Sequence, residues 1–251
     1  MAERLGSIDV AQLHAQQIET RNRFFGKEIL PEPPMELTEF IERTCKLGFT
    51  FEPYLSPGKH FSSDSDYPGW VVRPQAWFFD QIKRGNISPD SVRLPLQWAA
   101  METIERPSYD RGGQLYENDA LASILEDLRK GGKIAVPDWC KHIPSVSRFG
   151  VSADEISGPV ASRFAEVVKV NAVNVDAPTY MAFNYLGNIA HPEFGQANTA
   201  EWFVNIFARG YRLIGGNSDN DGLAGVGCDS SDGHRGDLGF RLLVAFPPKN
   251  A

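Results

Sequence analysis

The segment from Gly215 to Gly239, GGNSDNDGLAGVGCDSSDGHRGDLG, constrains the fold more than any other part of the chain. Its apolar residues, Leu223, Ala224, Val226, Cys228 and Leu238, are too sparse to bury a face of their own. Strand-like runs stand on either side, Tyr211–Ile214 and Phe240–Phe246. A connection of this length inside a compact domain is either functional or disordered. Pinned ends favour a folded loop presented at the surface. The core must then come from other residues, and Trp202, Phe203, Ile206, Phe207, Leu213, Phe240, Leu242 and Val244 are the nearest available.

The rest of the chain reads as short helices and loops. A helix is expected over Ile8–Thr20, and another over Glu36–Leu47, where Leu37, Phe40, Ile41 and Leu47 share a face and Gly48 stops it. Phe49–Tyr54 alternates like a strand. Pro74 can open a helix through Phe78, Phe79 and Ile82. Asp119 can cap a helix carrying Leu121, Ile124, Leu125 and Leu128, and Ser152 with Glu155 has capping-box spacing. Val160–Val170 places Val160, Phe164, Val167 and Val168 on one helical face. Asn198 is expected to cap a helix through Trp202, Phe203, Ile206 and Phe207, ended by Gly210. Residues 53–73 and 85–97, rich in Pro, Gly, Ser and Asp, read as loop. The polar stretch Tyr109–Gly113 is the expected boundary between an N-terminal accessory region, 1–114, and a C-terminal domain, 115–251. With 23 Gly, 17 Pro and 16 Phe in 251 residues, an α+β, loop-rich class fits better than a helical bundle.

Charge excludes one class of partner. With 25 basic and 32 acidic residues the net charge is -7, so no nucleic-acid partner is expected. No stretch has the apolar length of a membrane span, and no membrane insertion is expected. The first residues, MAERLGSIDVAQLHAQQIE, lack the basic-then-apolar order of a signal peptide. Cys45, Cys140 and Cys228 cannot all pair and have no metal-site spacing.

Three pieces of the last fifty residues carry a likeness. Asn198-Thr-Ala-Glu-Trp202, Arg212-Leu-Ile-Gly-Gly-Asn217 and Gly239-Phe-Arg241 stand in the order and spacing of motifs in the formylglycine-generating-enzyme branch of the C-type lectin fold. Within that branch the chain most resembles the variable proteins of diversity-generating retroelements. Gly215-Gly-Asn217, Leu223-Ala-Gly-Val226 and Gly239-Phe-Arg241 stand nearly in their register, with Ser218 where many relatives carry Trp. The likeness is good over about the last fifty residues, loose over 115–197 and absent over 1–114. It implies a C-type-lectin-like domain over 115–251 with a variable ligand-binding loop, 216–237. In that family, adenine-directed mutagenesis of Asn codons cannot reach Lys, Glu, Gln, Met or Trp. None of these types occurs from Phe203 to Pro248.

The resemblance implies ligand binding, not catalysis, with no cofactor. The ligand-binding residues would be Ser218, Asp219, Asn220, Asp221, Leu223, Gly227, Cys228, Asp229, Ser230, Ser231, His234, Arg235 and Asp237. The partner would be a protein or glycan on a host or target surface. Display would be on a virion, a phage tail or a cell surface after cytoplasmic synthesis. Between Gly216 and Asp237 five aspartates face Arg235 alone, a formal charge of -4, which favours a cationic target.

Other chemistries fit less well. The enzyme branch needs two cysteines where this chain has only Cys228, although a formylglycine-generating-type enzyme remains the alternative from another class, with a fixed-ligand phage tail or adhesin module as a third reading. Cys228 with His234 could also form a nucleophile pair. The five histidines have no paired-ligand spacing. Asn217-x-Asp219-x-Asp221-Gly222 matches half of an EF-hand, but Cys228 stands where a bidentate Glu is required. By resemblance Glu201 is a calcium candidate. Its spacing from Asn198 is also that of a capping box, which explains both residues without a metal. The aromatic run Tyr67, Trp70, Trp77, Phe78 and Phe79 is either a packing surface or a sugar-stacking platform.

Overall fold

The computed structural model describes residues 10–26, 31–61, 72–135 and 141–247. Seven α-helices appear among them: α1 (Val10–Phe25), α2 (Met35–Lys46), α3 (Ala76–Lys83), α4 (Ala122–Lys130), α5 (Ala153–Glu155), α6 (Ala161–Val168) and α7 (Tyr180–Ile189). The strands are β1 (Phe51–Leu55), β2 (Lys59–His60), β3 (Arg93–Leu94), β4 (Trp98–Glu102), β5 (Val175–Asp176), β6 (Ala200–Phe207), β7 (Tyr211–Gly215), β8 (Val226–Ser230), β9 (Leu238–Gly239) and β10 (Leu243–Phe246). The class is α+β. No helix of the described residues is long and apolar enough to cross a membrane.

Two four-stranded sheets organise the molecule. One runs β1-β4-β10-β5, all antiparallel, and the other runs β8-β7-β6-β9, with β6 and β9 parallel. Phe240–Leu242 carries the chain from β9 in the second sheet to β10 in the first. The closing strand expected as one unit is therefore two short strands in different sheets.

The expected boundary near residue 114 does not separate two cores. β4 pairs with β10 at Met101↔Leu243, and Leu37, Phe40 and Phe51 pack in one cluster with Phe164, Trp202, Phe240 and Val244. The apolar face of α2 and the wholly buried strand Trp98–Glu102 need a partner, and the C-terminal strands supply it. Residues 1–114 are thus no separate accessory region where they are described. Tyr109–Gly113 is a surface turn, held by Tyr109 N donating to Asn198 Oδ1 at 2.8 Å.

A second cluster joins Phe78, Tyr180, Phe183, Phe203 and Leu213. β6 lies between the two clusters: Trp202 enters the first and Phe203 the second. That placement overturns the helix expected over Trp202–Phe207. The register shifts between Trp202 and Ile206, so a bulge breaks the period of two and places apolar residues at helix-like intervals. The aromatic and β-branched content of Ala200–Phe207 suits a strand, buried on both faces over Ala200–Phe203; beyond the bulge Ile206 is 59% exposed and is not the core residue expected.

Other expectations survive with shifted ends. α2, α3, α4 and α6 lie close to the expected helices, and Ser152 with Glu155 forms the capping box. Asp119 accepts from Leu121 N at 2.9 Å. Helix α7, capped by Thr179, had no counterpart in the sequence reading. Of the aromatic run, Phe78 is core and Trp77 stacks on Phe207 at 5.5 Å; Tyr67 and Trp70 lie outside the described residues, as does Cys140.

Candidate ligand-binding face and the buried cluster beneath it

The three sequence motifs meet at one buried carboxylate. Glu201 on β6 pairs across the sheet with Gly215 of β7 on one side and Gly239 of β9 on the other. Its side chain is fully buried. Arg241 grips it in a two-pronged pair, with Nε to Oε2 at 2.8 Å and Nη2 to Oε1 at 2.9 Å. Tyr116 Oη donates to Oε1 at 3.4 Å, and Arg106 Nη1 stands 3.9 Å from Oε2. Burial alone would raise the Glu201 pKa; the charges of Arg241 and Arg106 outweigh it and hold the group below its ordinary range.

This geometry removes Glu201 as a calcium ligand, because Arg241 already occupies both oxygens and supplies the compensating charge. The capping-box explanation fails too, since Glu201 stands in a strand and Asn198 receives Tyr109 N instead. Among the described residues, no group of three or more His, Cys, Asp and Glu side chains could hold a metal.

The cluster extends outward on both sides. Arg241 lies 3.7 Å from the centre of the Phe194 ring, which stacks on His191 at 4.8 Å. His191 bonds Glu193 through Nδ1 at 2.8 Å and faces Glu52 through Nε2 at 3.3 Å. Burial would lower its pKa, but the hydrogen bonds and charges of Glu52 and Glu193 raise it overall. Arg148 binds Glu102 at 2.5 and 2.7 Å and Asp119 at 2.6 and 2.8 Å. Arg106 Nη2 donates to the carbonyls of Phe194 at 2.7 Å and Gly216 at 2.5 Å, so the buried cluster holds the backbone where the long segment begins.

That segment is not one loop. Asn217 Oδ1 accepts from Asp219 N at 2.8 Å and starts a 3-10 turn over Ser218–Asn220. The half EF-hand pattern is thus a backbone turn, and Asp221 takes a bond from Gln75 Nε2. A second turn, Gly222–Ala224, drives Leu223 inward. Val226–Ser230 is strand β8, paired with β7 from Gly215↔Val226 to Tyr211↔Ser230. The sequence hid this strand because Val-Gly-Cys-Asp-Ser has neither alternation nor strand propensity; pairing with β7 imposes it.

The expected binding residues divide accordingly. Ser218, Asp219, Asn220, Asp221 and Arg235 are exposed; Gly227, Cys228, Asp229, Ser230, Ser231, His234 and Asp237 are half-buried. Leu223 is the exception and is no binding residue: it is core, only 7% exposed, among Tyr180, Phe183 and Phe194. Gly187 and Gly195 leave the room it fills, since a Cβ on Gly187 would stand 2.3 Å from its Cδ2. Tyr180 Oη and Asn184 Nδ2 hold the carbonyls of Ala224 and Leu223 at 2.7 and 2.9 Å. Gly225 must be glycine, because a Cβ there would meet the Asn220 carbonyl at 1.7 Å.

Polar bonds knit the outer part together. Arg235 joins Asp229 at 2.9 Å and Asp237 at 2.9 Å. Ser231 Oγ reaches Asp154 at 2.8 Å, and His234 Nε2 meets Glu155 Oε2 at 3.0 Å. His234 therefore serves Glu155, not Cys228. The Cys228 thiol is pushed up by burial and then by Asp229, the opposite of what a nucleophile needs. Sequence reasoning missed Gln75, Arg106, Asp154 and Glu155 as supports of this face. The capping box at Ser152–Glu155 was visible, but its contacts with Ser231 and His234, some eighty residues on, had no local signal.

No protein-family model, curated protein or solved structure matches this chain.

Proposed function

We propose that this chain is a ligand-binding protein that displays a diversified surface on a C-type-lectin-like scaffold, and that the displayed residues lie between Ser218 and Asp237. One observation carries the reading: from Gly216 to Ser230 the backbone of this segment is held by groups that are not themselves displayed, and only in its outer part do Ser231, His234 and Arg235 add polar bonds of their own. β7 pairs with β8, Leu223 is wedged against α7, and Arg106 anchors Gly216, while Ser218, Asp219, Asn220 and Arg235 remain exposed. A side chain that bears no structural load can vary at little cost, and a fixed backbone reduces the entropy lost on binding.

The motif likeness supports the same reading. Gly215, Glu201 and Gly239 stand side by side in adjacent strands, so the three motifs form one structural unit. The missing Lys, Glu, Gln, Met and Trp from Phe203 to Pro248 fit diversification through Asn codons. The face is acidic, which favours a cationic protein or glycan-bearing target on a host or cell surface. The raised thiol pKa of Cys228 and the engagement of His234 with Glu155 weigh against catalysis at this face.

The test is a library of the chain with Ser218, Asp219, Asn220, Ser230, Ser231 and Arg235 varied together. Most members are expected to fold, and selection against a fixed protein target is expected to yield distinct binders. A library that mostly unfolds would contradict the reading. At the genomic level, the expected neighbour is a reverse-transcriptase gene with a near-copy of the sequence encoding this segment.

A further inference from the structure

Strand β8 lies at the end of its sheet: β7 pairs with one side of it, and no strand of the described residues pairs with the other. We propose that this open edge binds an extended basic segment of a partner protein, which adds beside β8 as a further strand. The inference rests on the ligand-binding reading above and narrows its target to a protein backbone.

The register identifies the free backbone groups. Opposite residues of an antiparallel pair alternate between those that exchange ladder bonds and those that do not. At one end Gly216 N donates to the Gly225 carbonyl at 3.4 Å, and at the other Ser231 N donates to the Gly210 carbonyl at 2.9 Å. Gly227 and Asp229 share that phase and face Ile214 and Arg212. Val226, Cys228 and Ser230 have the opposite phase, so their N–H and C=O groups point away from β7. Ser230 is satisfied locally: its N–H donates to Asp229 Oδ1 at 2.7 Å and its carbonyl accepts from Gly233 N at 2.9 Å. On the other flank the Ala224 carbonyl accepts from Gln75 N at 3.2 Å. Between these closed ends, Val226 and Cys228 leave two donors and two acceptors without a partner among the described residues.

Nothing in the strand blocks pairing. Edges are commonly closed by a proline, a lysine or a bulge. Val226–Ser230 has neither Pro nor Lys, keeps an unbroken register with β7, and has no fully buried residue. Main-chain bonds also suit a diversified surface. They stay the same whichever side chains vary, so they supply affinity to every variant and leave specificity to the side chains.

Charge selects the incoming segment. From Gly216 to Asp237 the formal charge is -4, and the single base, Arg235, is already held by Asp229 and Asp237. Arg209 beside β7 and Arg212 on it are offset by Asp154, 3.8 Å from Arg212, and Glu155. A basic segment is attracted to this edge and an acidic one repelled.

The probes are short linear peptides, selected from a random display library on the full parent chain and measured by calorimetry. They are expected to be rich in Lys and Arg. N-methylation along the best of them should weaken binding by about tenfold at alternate residues, those whose N–H faces β8, and much less at the residues between. Cys228→Pro removes an outward N–H that the β7 ladder does not use, a change an edge strand tolerates. It is expected to fold and to weaken the peptide by about tenfold or more, whereas Cys228→Ala keeps the N–H and should lose less. Denaturation checks both variants, and the N-methyl series decides if the proline variant does not fold. The inference is overturned, with the ligand-binding reading left standing, if binders from the varied library keep full affinity in the Cys228→Pro background or if N-methylation shows no period of two. Selection that yields no peptide, or only acidic ones, also overturns it. So does a parent chain that dimerises and that Cys228→Pro returns to a monomer, since a second copy then holds the edge.

Discussion

Arg235 and Arg241 stand a few residues apart, and each is paired with carboxylates at nearly the same distances. Arg235 reaches Asp229 and Asp237 at 2.9 Å; Arg241 reaches Glu201 at 2.8 and 2.9 Å. Their surroundings differ entirely. The Arg235 side chain is 48% exposed, whereas Arg241 is 1% exposed beneath Phe194. Exposed pairs are screened by water and contribute little, while a buried pair that loses one partner leaves an uncompensated charge in a medium that cannot solvate it. Similar bond lengths therefore mark a displayed side chain in one place and a scaffold element in the other. The bond geometry alone does not separate the two roles; the environment does.

The largest effect should follow from breaking the buried side of this comparison. Glu201→Ala strands Arg241 and weakens the hold on Arg106, and it should cost about 3–5 kcal/mol in chemical denaturation. Leu223→Ala comes next, at about 2–5 kcal/mol, because it empties the space between Gly187 and Gly195. That result would sharpen the comparison, since Leu223 lies among displayed neighbours but belongs to the core. Arg235→Ala should cost no more than about 1 kcal/mol, with a difference that shrinks as salt is added.

Acid and base should probe the buried side of the comparison from two of its members. Glu201 is held below its ordinary pKa of 4.5, so the folded state binds its proton less tightly than the unfolded chain does. Its contribution is present above that value and is lost as pH falls through the folded-state pKa. His191 is held above its ordinary 6.5, so its contribution is complete below that value and is lost as pH rises through the folded-state pKa. Denaturation of His191→Gln beside the parent chain should show a smaller loss of stability on passing above pH 6.5. Equal losses in the two proteins would remove the Glu52 and Glu193 contacts from the account.

Much of the local structure was legible. The apolar spacing of Leu37, Phe40 and Ile41, the Ser152–Glu155 box and the Tyr211–Ile214 strand depend on neighbours a few residues away, and they appear close to where they were expected. What failed depended on distant partners. The bulge in β6 gave a strand the spacing of a helix. Leu223 sits in a run of Gly, Ala and Val without periodicity, and only Gly187 and Gly195 reveal it as core. Glu201 invited two local explanations, a metal and a cap, because its partner Arg241 lies forty residues on. The exposed residues at Ser218–Asp221 were legible because polar turns carry their own signal.

The central claim is that the fold does not depend on the displayed side chains. The direct measurement is urea denaturation of a variant in which Ser218, Asp219, Asn220 and Arg235 are replaced together by other small or polar types, run beside Glu201→Ala. With Ser218, Asp219 and Asn220 each worth up to about 0.5 kcal/mol and Arg235 up to about 1 kcal/mol, the fourfold variant should lose no more than about 2.5 kcal/mol and keep the parent's slope. A loss as large as that of Glu201→Ala would contradict the separation of scaffold from display.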